Sequence, residues 1–150
     1  MFRKEFGITW LTSLFIFLSQ SHIRSSIAHA WAKKLPLRDV TFISGSWSKA
    51  RDTNFVNDVL HEFSMEAPNS FSYTPSQKLL EDADLIVTIY DSTHEIAPHF
   101  PDTFNKKVVY WDIEDPECIS ELPTKWAHYQ EVCDIIALSV KQLKKAFIEV

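Results

Sequence analysis

The stretch LFIFLSQSHIRSSIAHAWAK, residues 14–33, decides the fold of this chain. It begins with five apolar residues, Leu14–Leu18, which predict a buried strand, and continues through a short loop, residues 19–23. Arg24 and Ser25 then open a predicted helix. A strand that leads directly into a helix brings backbone N–H groups and the positive end of the helix dipole to one place. That place suits an oxyanion, and the guanidinium of Arg24 has the geometry to bind two of its oxygens.

Length and composition indicate one globular domain. The chain has 150 residues, of which 45% are hydrophobic and 23% charged, as is ordinary for a soluble protein. The formal net charge of −5 argues against a general nucleic-acid binder. The two cysteines, Cys118 and Cys133, form no C-x-x-C pair and are most simply explained as reduced thiols of a cytoplasmic protein. Nothing in the sequence indicates a metal ion or another cofactor.

The N-terminal region allows a second interpretation. Residues 1–12 are predicted to be an extension before a domain that covers residues 13–150. Residues 1–30 also resemble a secretory signal, with Arg3 and Lys4, an apolar run from Ile8 to Leu18, and the small residues Ala28 and Ala30 at a possible cleavage site. The apolar run is too short for a good membrane span, so no membrane partner is expected. Cleavage after Ala30 would remove the predicted first strand and the start of the predicted helix, which argues against a signal. Because of the signal-like start, a secreted or membrane-tethered protein is kept as an alternative hypothesis.

The remaining pattern alternates strands and helices. Strands are predicted at 40–44, 83–89 and 108–111, helices at 54–63 and 76–81, and a long helix from Pro123 nearly to the end of the chain. Several strands are apolar throughout, which is typical of parallel strands buried on both faces. The prediction is an α/β fold: a three-layer sandwich with a four-stranded parallel sheet and helices on both faces. Loops 19–24, 90–99 and 112–118 all follow strands and are expected to meet at the carboxyl edge of the sheet.

Four motifs in this order resemble the low-molecular-weight protein tyrosine phosphatases and, among them, the thioredoxin-coupled arsenate reductases. The first strand and loop fit the family's strand–C-x5-R-S–helix frame, and DLIVTIY, residues 84–90, fits the strand before the second loop of the site. YWDIEDP, residues 110–116, places a tryptophan shortly before an Asp-Pro, and residues 126–132 fit the W-x-x-[FY]-Q-x-V pattern of the last helix. The resemblance implies phosphate-like oxyanion binding by the loop residues Ser19, Gln20, Ser21, His22, Ile23, Arg24 and Ser25.

The resemblance also implies catalytic residues that this chain lacks. The family nucleophile is a cysteine six residues before the arginine, a position held here by Leu18. The two further cysteines of the arsenate reductases correspond to Tyr90 and Ala97, and a loop glycine corresponds to Gln20. A leucine cannot attack phosphorus or arsenic, and serine cannot supply electrons to arsenate. Asp115 matches the family's general acid but has no nucleophile to assist.

Three hypotheses follow from these residues. The first is a catalytically impaired homologue, a pseudoenzyme that binds phosphate-like oxyanions near Arg24. The second is an active phosphatase or arsenate reductase with a misassigned N-terminus, and the third is the secreted or tethered protein. A metal site formed by His94, His99 and Glu95 has no standard spacing and is disfavoured. Cys133 and the tryptophans Trp31, Trp111 and Trp126 are predicted to pack in or against the core, and Cys118 to lie at the surface.

Overall fold

The computed structural model describes residues 13–37, 39–48, 55–67 and 75–147. Strands and helices alternate along the chain, as the sequence pattern predicts. The strands are β1 (Ser13–Ser19), β2 (Val40–Ser46), β3 (Leu85–Tyr90) and β4 (Val108–Asp112). The helices are α1 (His22–Lys33), α2 (Phe55–His61), α3 (Gln77–Asp82) and α4 (Leu122–Phe147), with short 3-10 turns at Asp102–Phe104 and Pro116–Cys118. The predicted extension, residues 1–12, lies outside the described residues.

The four strands form one parallel sheet in the order β2-β1-β3-β4. β1 is central and pairs with β2 from Ser13 to Ser19, and with β3 from Phe15 to Ser19. Because the chain runs in the same direction in every strand, the loops after β1, β3 and β4 lie at one edge of the sheet. These are the three loops that the sequence predicted to converge.

Helices cover both faces of the sheet, so the three-layer prediction is confirmed. Phe15 and Phe17 of β1 point to one face, where they join a core with α1, α2 and α4. Ile16 and Leu18 point to the other face, where they pack with α3 and with Phe104. Alternating residues of one strand therefore serve two separate cores, as the two-residue period of a strand requires.

Two local predictions need correction. The second strand was expected to end at residue 44, but β2 continues through Ser46 because Gly45 and Ser46 stay paired with β1. The helix was expected to begin at Arg24, whereas α1 begins at His22, so that Ser21 holds the N-cap position. The loop between β1 and α1 is thus shorter than the apolar pattern indicated. Within the described part of the chain, no helix combines the length and the hydrophobicity needed to span a bilayer.

Candidate functional site

Arg24 lies in the first turns of α1 at the carboxyl edge of the sheet, and its side chain is completely buried. Its Nη1 and Nη2 donate to the two carboxylate oxygens of Glu95, each at 2.7 Å. Nη1 also donates to the backbone carbonyl of Ile113 at 2.9 Å. The Glu95 side chain is only 5% exposed, so solvent screens this bidentate ion pair weakly. We call the group formed by Arg24, Glu95, Asp115 and the Ile113 carbonyl the arginine site.

A tight turn after β3 places Glu95 in the arginine site. The Asp91 N–H donates to Glu95 Oε1 at 2.7 Å, and the Glu95 N–H donates to the Asp91 carbonyl at 2.8 Å. The Asp91 carboxylate accepts from the Thr93 N–H at 2.9 Å, an Asx turn that closes the backbone locally. Ser92 then ties the turn to the end of β4 through Asp112 Oδ1, at 3.0 Å from the Ser92 N–H. These bonds hold the Glu95 carboxylate in one position against Arg24.

Asp115 is the second carboxylate of the arginine site. Its Oδ2 lies 3.9 Å from Arg24 Nη2, and the side chain is 8% exposed. Its Oδ1 accepts from the Glu117 N–H at 2.9 Å and caps the 3-10 turn that begins at Pro116. The structure therefore brings Asp115 and Arg24 together. The site contains one guanidinium and two carboxylates, so a free anion meets more negative than positive charge there.

The loop between β1 and α1 is organised by serines. Ser19 Oγ accepts from the Ser25 N–H at 3.0 Å and donates to the Ser21 carbonyl, while Ser25 Oγ donates to the His22 carbonyl at 3.2 Å. Ser21 makes no side-chain cap on α1. Ser21 Oγ and Arg24 Nε are shielded from solvent and have no hydrogen-bond partner within the described residues, although such atoms usually have one.

Leu18 lies on the other side of the sheet from this loop. It is 3% exposed and belongs to the core that contains Ile16, Ile86 and Phe104, whereas α1 packs on the opposite face. Ser19, one residue later, is the β1 side chain that turns toward the loop and contacts Ser25. Ile23, which the resemblance placed among the oxyanion-binding residues, is fully buried in the core beneath α1. Gln20 is half-buried in the loop.

The other positions singled out in the sequence lie around the loop after β3. Tyr90 stacks edge-to-face on Tyr110, with ring centroids 6.0 Å apart. Ala97 and His99 line a separate cleft of about 550 Å³ together with Tyr110. His94 is exposed and pairs with Asp91 at 2.8 Å, and this hydrogen bond raises the pKa of His94. His94, Glu95 and His99 do not form a metal-ligand group among the described residues.

Neither cysteine lies in the arginine site as an activated thiol. Cys118 is exposed, as predicted, and its Sγ contacts Glu114 Oε1 at 3.3 Å. Partial burial, followed by the hydrogen bond to Glu114 and nearby carboxylates, raises the pKa of Cys118 to about 11. Cys133 is fully buried, as predicted, and accepts from Trp31 Nε1 at 3.2 Å. Burial also raises the pKa of Cys133, so both sulfurs are protonated thiols near neutral pH.

The roles of Glu95 and of the Ile113 carbonyl were not predicted from the sequence. A signal for Glu95 was present, because the loop after β3 was expected to approach Arg24 and Glu95 is one of its two acidic residues, with Asp91. That the turn from Asp91 to Glu95 would direct this carboxylate inward depends on backbone hydrogen bonds, which the residue pattern does not reveal. The predicted packing of the three tryptophans is confirmed: Trp31 contacts Phe63, Trp111 contacts Phe17 and Trp126 contacts Phe55.

The chain is similar to known proteins in both sequence and structure. No family model matches the chain. An arsenate reductase of Halalkalibacterium halodurans is 31% identical over 121 residues, which cover 79% of this chain and 84% of the relative. A solved arsenate reductase in a phosphate-binding state superposes with a TM-score of 0.61 at 15% identity, over 87% of this chain and 98% of that one. A solved protein tyrosine phosphatase gives a TM-score of 0.65 at 19% identity, over 89% and 94% of the two chains.

The structural matches are below 25% identity and establish the fold, while the sequence relative establishes the family. The motif order, the parallel sheet and the joint placement of Arg24 and Asp115 agree with that relationship. The chain belongs to the arsenate reductase family, which shares the fold of the low-molecular-weight tyrosine phosphatases.

Proposed function

We propose that this chain is a non-catalytic member of its family, in which the Glu95 carboxylate occupies the place of an oxyanion at Arg24. The observation that carries the proposal is the bidentate pair, in which both Glu95 oxygens accept from the guanidinium at 2.7 Å. A carboxylate presents two oxygens to a guanidinium much as a phosphate or arsenate does. Glu95 thus gives Arg24 an internal anion.

The positions of the side chains near Arg24 support the absence of thiol chemistry. The residue at the family's nucleophile position, Leu18, faces the opposite core. Ser19 Oγ is held between the Ser25 N–H and the Ser21 carbonyl, and no base that could activate it is among its partners. Cys118 carries a pKa of about 11, so its thiolate fraction is very small at neutral pH. Among the described residues, a phosphoryl or arsenyl group at Arg24 would therefore meet no suitable nucleophile.

The same site supports weak binding of a phosphate-like oxyanion. Arg24 Nε and Ser21 Oγ are buried donors that Glu95 leaves unused, and an incoming oxyanion could accept from both. To reach the Nη atoms it must displace Glu95, and it must do so beside the carboxylate of Asp115. We therefore propose that phosphate, arsenate or sulfate competes with Glu95, and that this competition keeps the affinity low.

Thermal melts in phosphate, arsenate and sulfate test the competition. Glu95→Ala removes the competing carboxylate, and we expect it to bind phosphate at least about tenfold more tightly than the unmodified chain, with a larger rise in Tm. Glu121→Ala is the matched control, since it removes an exposed carboxylate of the same charge elsewhere. Equal phosphate responses in Glu95→Ala and Glu121→Ala would contradict the competition. So would a strong response in the unmodified chain, because an intact Glu95 should suppress it.

Turnover assays test the absence of catalysis. The purified chain is expected to release no phenol from an aryl phosphate above the rate of the Arg24→Lys variant. It is also expected to cause no arsenate-dependent NADPH consumption with thioredoxin and its reductase. Multiple turnover that Arg24→Lys abolishes would instead support the alternative, an active phosphatase or arsenate reductase. Both assays use this polypeptide, so their expected results do not depend on the residue at which the natural protein begins.

The placement of β1 supports a mature chain that keeps residues 13–30. β1 is the central strand and pairs with both β2 and β3, while α1 packs against α4. Cleavage after Ala30 would remove the whole of β1 and most of α1. Mass spectrometry of the natural protein tests this expectation, and a mature form that begins after Ala30 would favour the secreted alternative. A cytoplasmic location remains a prediction from the sequence.

A further inference from the structure

Three side chains of types that commonly bind transition metals lie close together at the loop after β4. Glu114 and Cys118 belong to this loop and its 3-10 turn, and His128 belongs to α4. One ligand atom of each residue lies within 4.8 Å of the other two. Cys118 Sγ is 3.3 Å from Glu114 Oε1, and His128 Nε2 is 3.4 Å from Glu114 Oε2. We call these three residues the Cys118 cluster.

The spacing of the Cys118 cluster fits a tetrahedral ion. Zinc binds cysteine sulfur at about 2.3 Å and histidine nitrogen or carboxylate oxygen at about 2.0–2.2 Å, so neighbouring ligand atoms lie roughly 3.3–3.7 Å apart. The two contacts to Glu114 already have separations of 3.3 and 3.4 Å. The contacts run through different oxygens, Oε1 toward Cys118 and Oε2 toward His128, so the Glu114 carboxylate bridges the other two side chains.

The imidazole of His128 supplies an independent observation. Its Nε2 is shielded from solvent and makes no hydrogen bond within the described residues, even though Glu114 lies nearby. Its contact with Glu114 Oε2, at 3.4 Å, does not form a hydrogen bond, and a metal ion would satisfy this nitrogen. The other ring nitrogen, Nδ1, lies 3.9 Å from the carboxylate of Glu131.

We propose that Glu114, Cys118 and His128 bind a zinc ion. A thiolate, an imidazole and a carboxylate together favour zinc over magnesium or calcium, which prefer oxygen ligands. Three protein ligands leave a fourth tetrahedral position for water. Binding requires Cys118 to lose its thiol proton to solvent, and the zinc–sulfur bond replaces the S–H bond. The sequence predicted no metal here, because the spacing Glu-x3-Cys-x9-His matches no standard pattern.

Titration of the full chain with zinc tests the proposal. The protein is stripped with a chelator, kept reduced with a phosphine, and titrated by calorimetry with Zn²⁺. We expect one equivalent to bind, and Cys118→Ser and His128→Gln each to weaken the affinity at least about tenfold. His61→Gln is the matched control, because His61 is an exposed histidine at the end of α2. It is expected to leave the affinity unchanged.

A second measurement uses Co²⁺ in place of Zn²⁺, because the absorption spectrum of bound Co²⁺ depends on the atoms that coordinate it. Co²⁺ bound by Cys118 gives a thiolate-to-cobalt charge-transfer band, which Cys118→Ser is expected to abolish and His61→Gln to leave in place. No saturable binding of either ion, or zinc affinity that survives both Cys118→Ser and His128→Gln, would overturn the proposal. The measurements do not involve Arg24 or Glu95, so their results are independent of the proposed competition between Glu95 and an oxyanion.

Discussion

Arg24 and Glu95 depend on each other because both are removed from solvent. Their side chains are 0% and 5% exposed, and each satisfies the other through two hydrogen bonds. A buried ion pair adds little stability relative to apolar residues, but the loss of one member leaves an uncompensated buried charge. The cost of removing one member therefore shows whether the ion pair holds α1 to the loop after β3.

A double-mutant cycle measures that dependence. Arg24→Met is expected to lower the free energy of unfolding by about 3–5 kcal/mol, because the buried Glu95 carboxylate then loses its guanidinium counter-charge and keeps only the Asp91 N–H as a donor. The double variant Arg24→Met/Glu95→Met removes both charges and is expected to recover part of that loss. Urea unfolding followed by circular dichroism supplies the values. A double variant that is less stable than Arg24→Met would contradict the coupling.

His29 is a partly buried titratable group on the face of α1 toward β2. Its Nδ1 lies 2.9 Å from Ser44 Oγ. Burial, together with the positive charge of Lys33, lowers the pKa of His29 to about 4 from the ordinary value of 6.5. As the pH falls below 6.5, the unfolded chain takes up this proton before the folded chain does. The contribution of His29 to stability is therefore lost progressively between pH 6.5 and about 4.

The pH dependence of unfolding tests this assignment. The slope from His29 is at most about 1.4 kcal/mol per pH unit, and smaller because the ring is partly exposed. His29→Gln keeps a polar group near Ser44 but cannot take up a proton. We expect the stability of the unmodified chain to fall more steeply than that of His29→Gln over this pH range. Parallel curves for the two proteins would show that His29 is not the titrating group.

At the scale of elements, the sequence predicted what depends on residue pattern. The apolar runs at 14–18 and 83–89 located β1 and β3, and the three- and four-residue spacing after Pro123 located α4. The start of α1 was placed two residues late, because Ser21 occupies the N-cap position although its side chain makes no capping bond. The site was predicted in part: Arg24 and Asp115 do meet, but no pattern reveals that Glu95 folds back onto the guanidinium.

Helix α3 shows how a residue distant in sequence can complete an element. α3 has only six residues, and Lys107 Nζ donates to the carbonyls of Leu80, Glu81 and Ala83 at 2.7, 2.9 and 3.0 Å. The same ammonium lies 4.3 Å from the centre of the Phe104 ring. The Leu80 carbonyl also accepts from the Ala83 N–H at 3.3 Å, whereas the last carbonyls of a helix generally lack intrahelical donors. Lys107 thus joins α3 to the start of β4.

Removal of that ammonium is expected to destabilise the protein. Lys107→Met keeps the apolar stem but removes the donor, and we expect a loss of about 1–3 kcal/mol in the free energy of unfolding. Lys106→Met is the matched control, since Lys106 is an exposed neighbour of the same charge. Chemical unfolding of the two variants gives the comparison. Equal stabilities of the two variants would mean that water satisfies the carbonyl groups at the end of α3 as well as the Lys107 ammonium does.

At the scale of the whole molecule, the fold keeps its two cysteine thiols in different environments. Cys118 is exposed on the loop after β4, whereas Cys133 is fully buried on α4 beneath Trp31. A thioredoxin-coupled reductase needs two thiols that can approach and form a disulfide. The packing of α4 against α1 holds Cys133 inside the core, so a disulfide with Cys118 would require the core to open.

Thiol labelling of the folded and unfolded chain tests this separation. In the presence of a chelator, iodoacetamide is expected to label Cys118 alone in the folded protein and both cysteines in urea. Because the pKa of Cys118 is raised to about 11, labelling of the folded chain should be slow at pH 7 and accelerate about tenfold per pH unit toward that value. Cys118→Ser is expected to accept no label when folded and one when unfolded. Labelling of both cysteines in the folded chain would mean that Cys133 is accessible to solvent. A mass loss of two hydrogens after arsenate treatment would mean that the two thiols form a disulfide and that this fold can carry out thioredoxin-coupled chemistry.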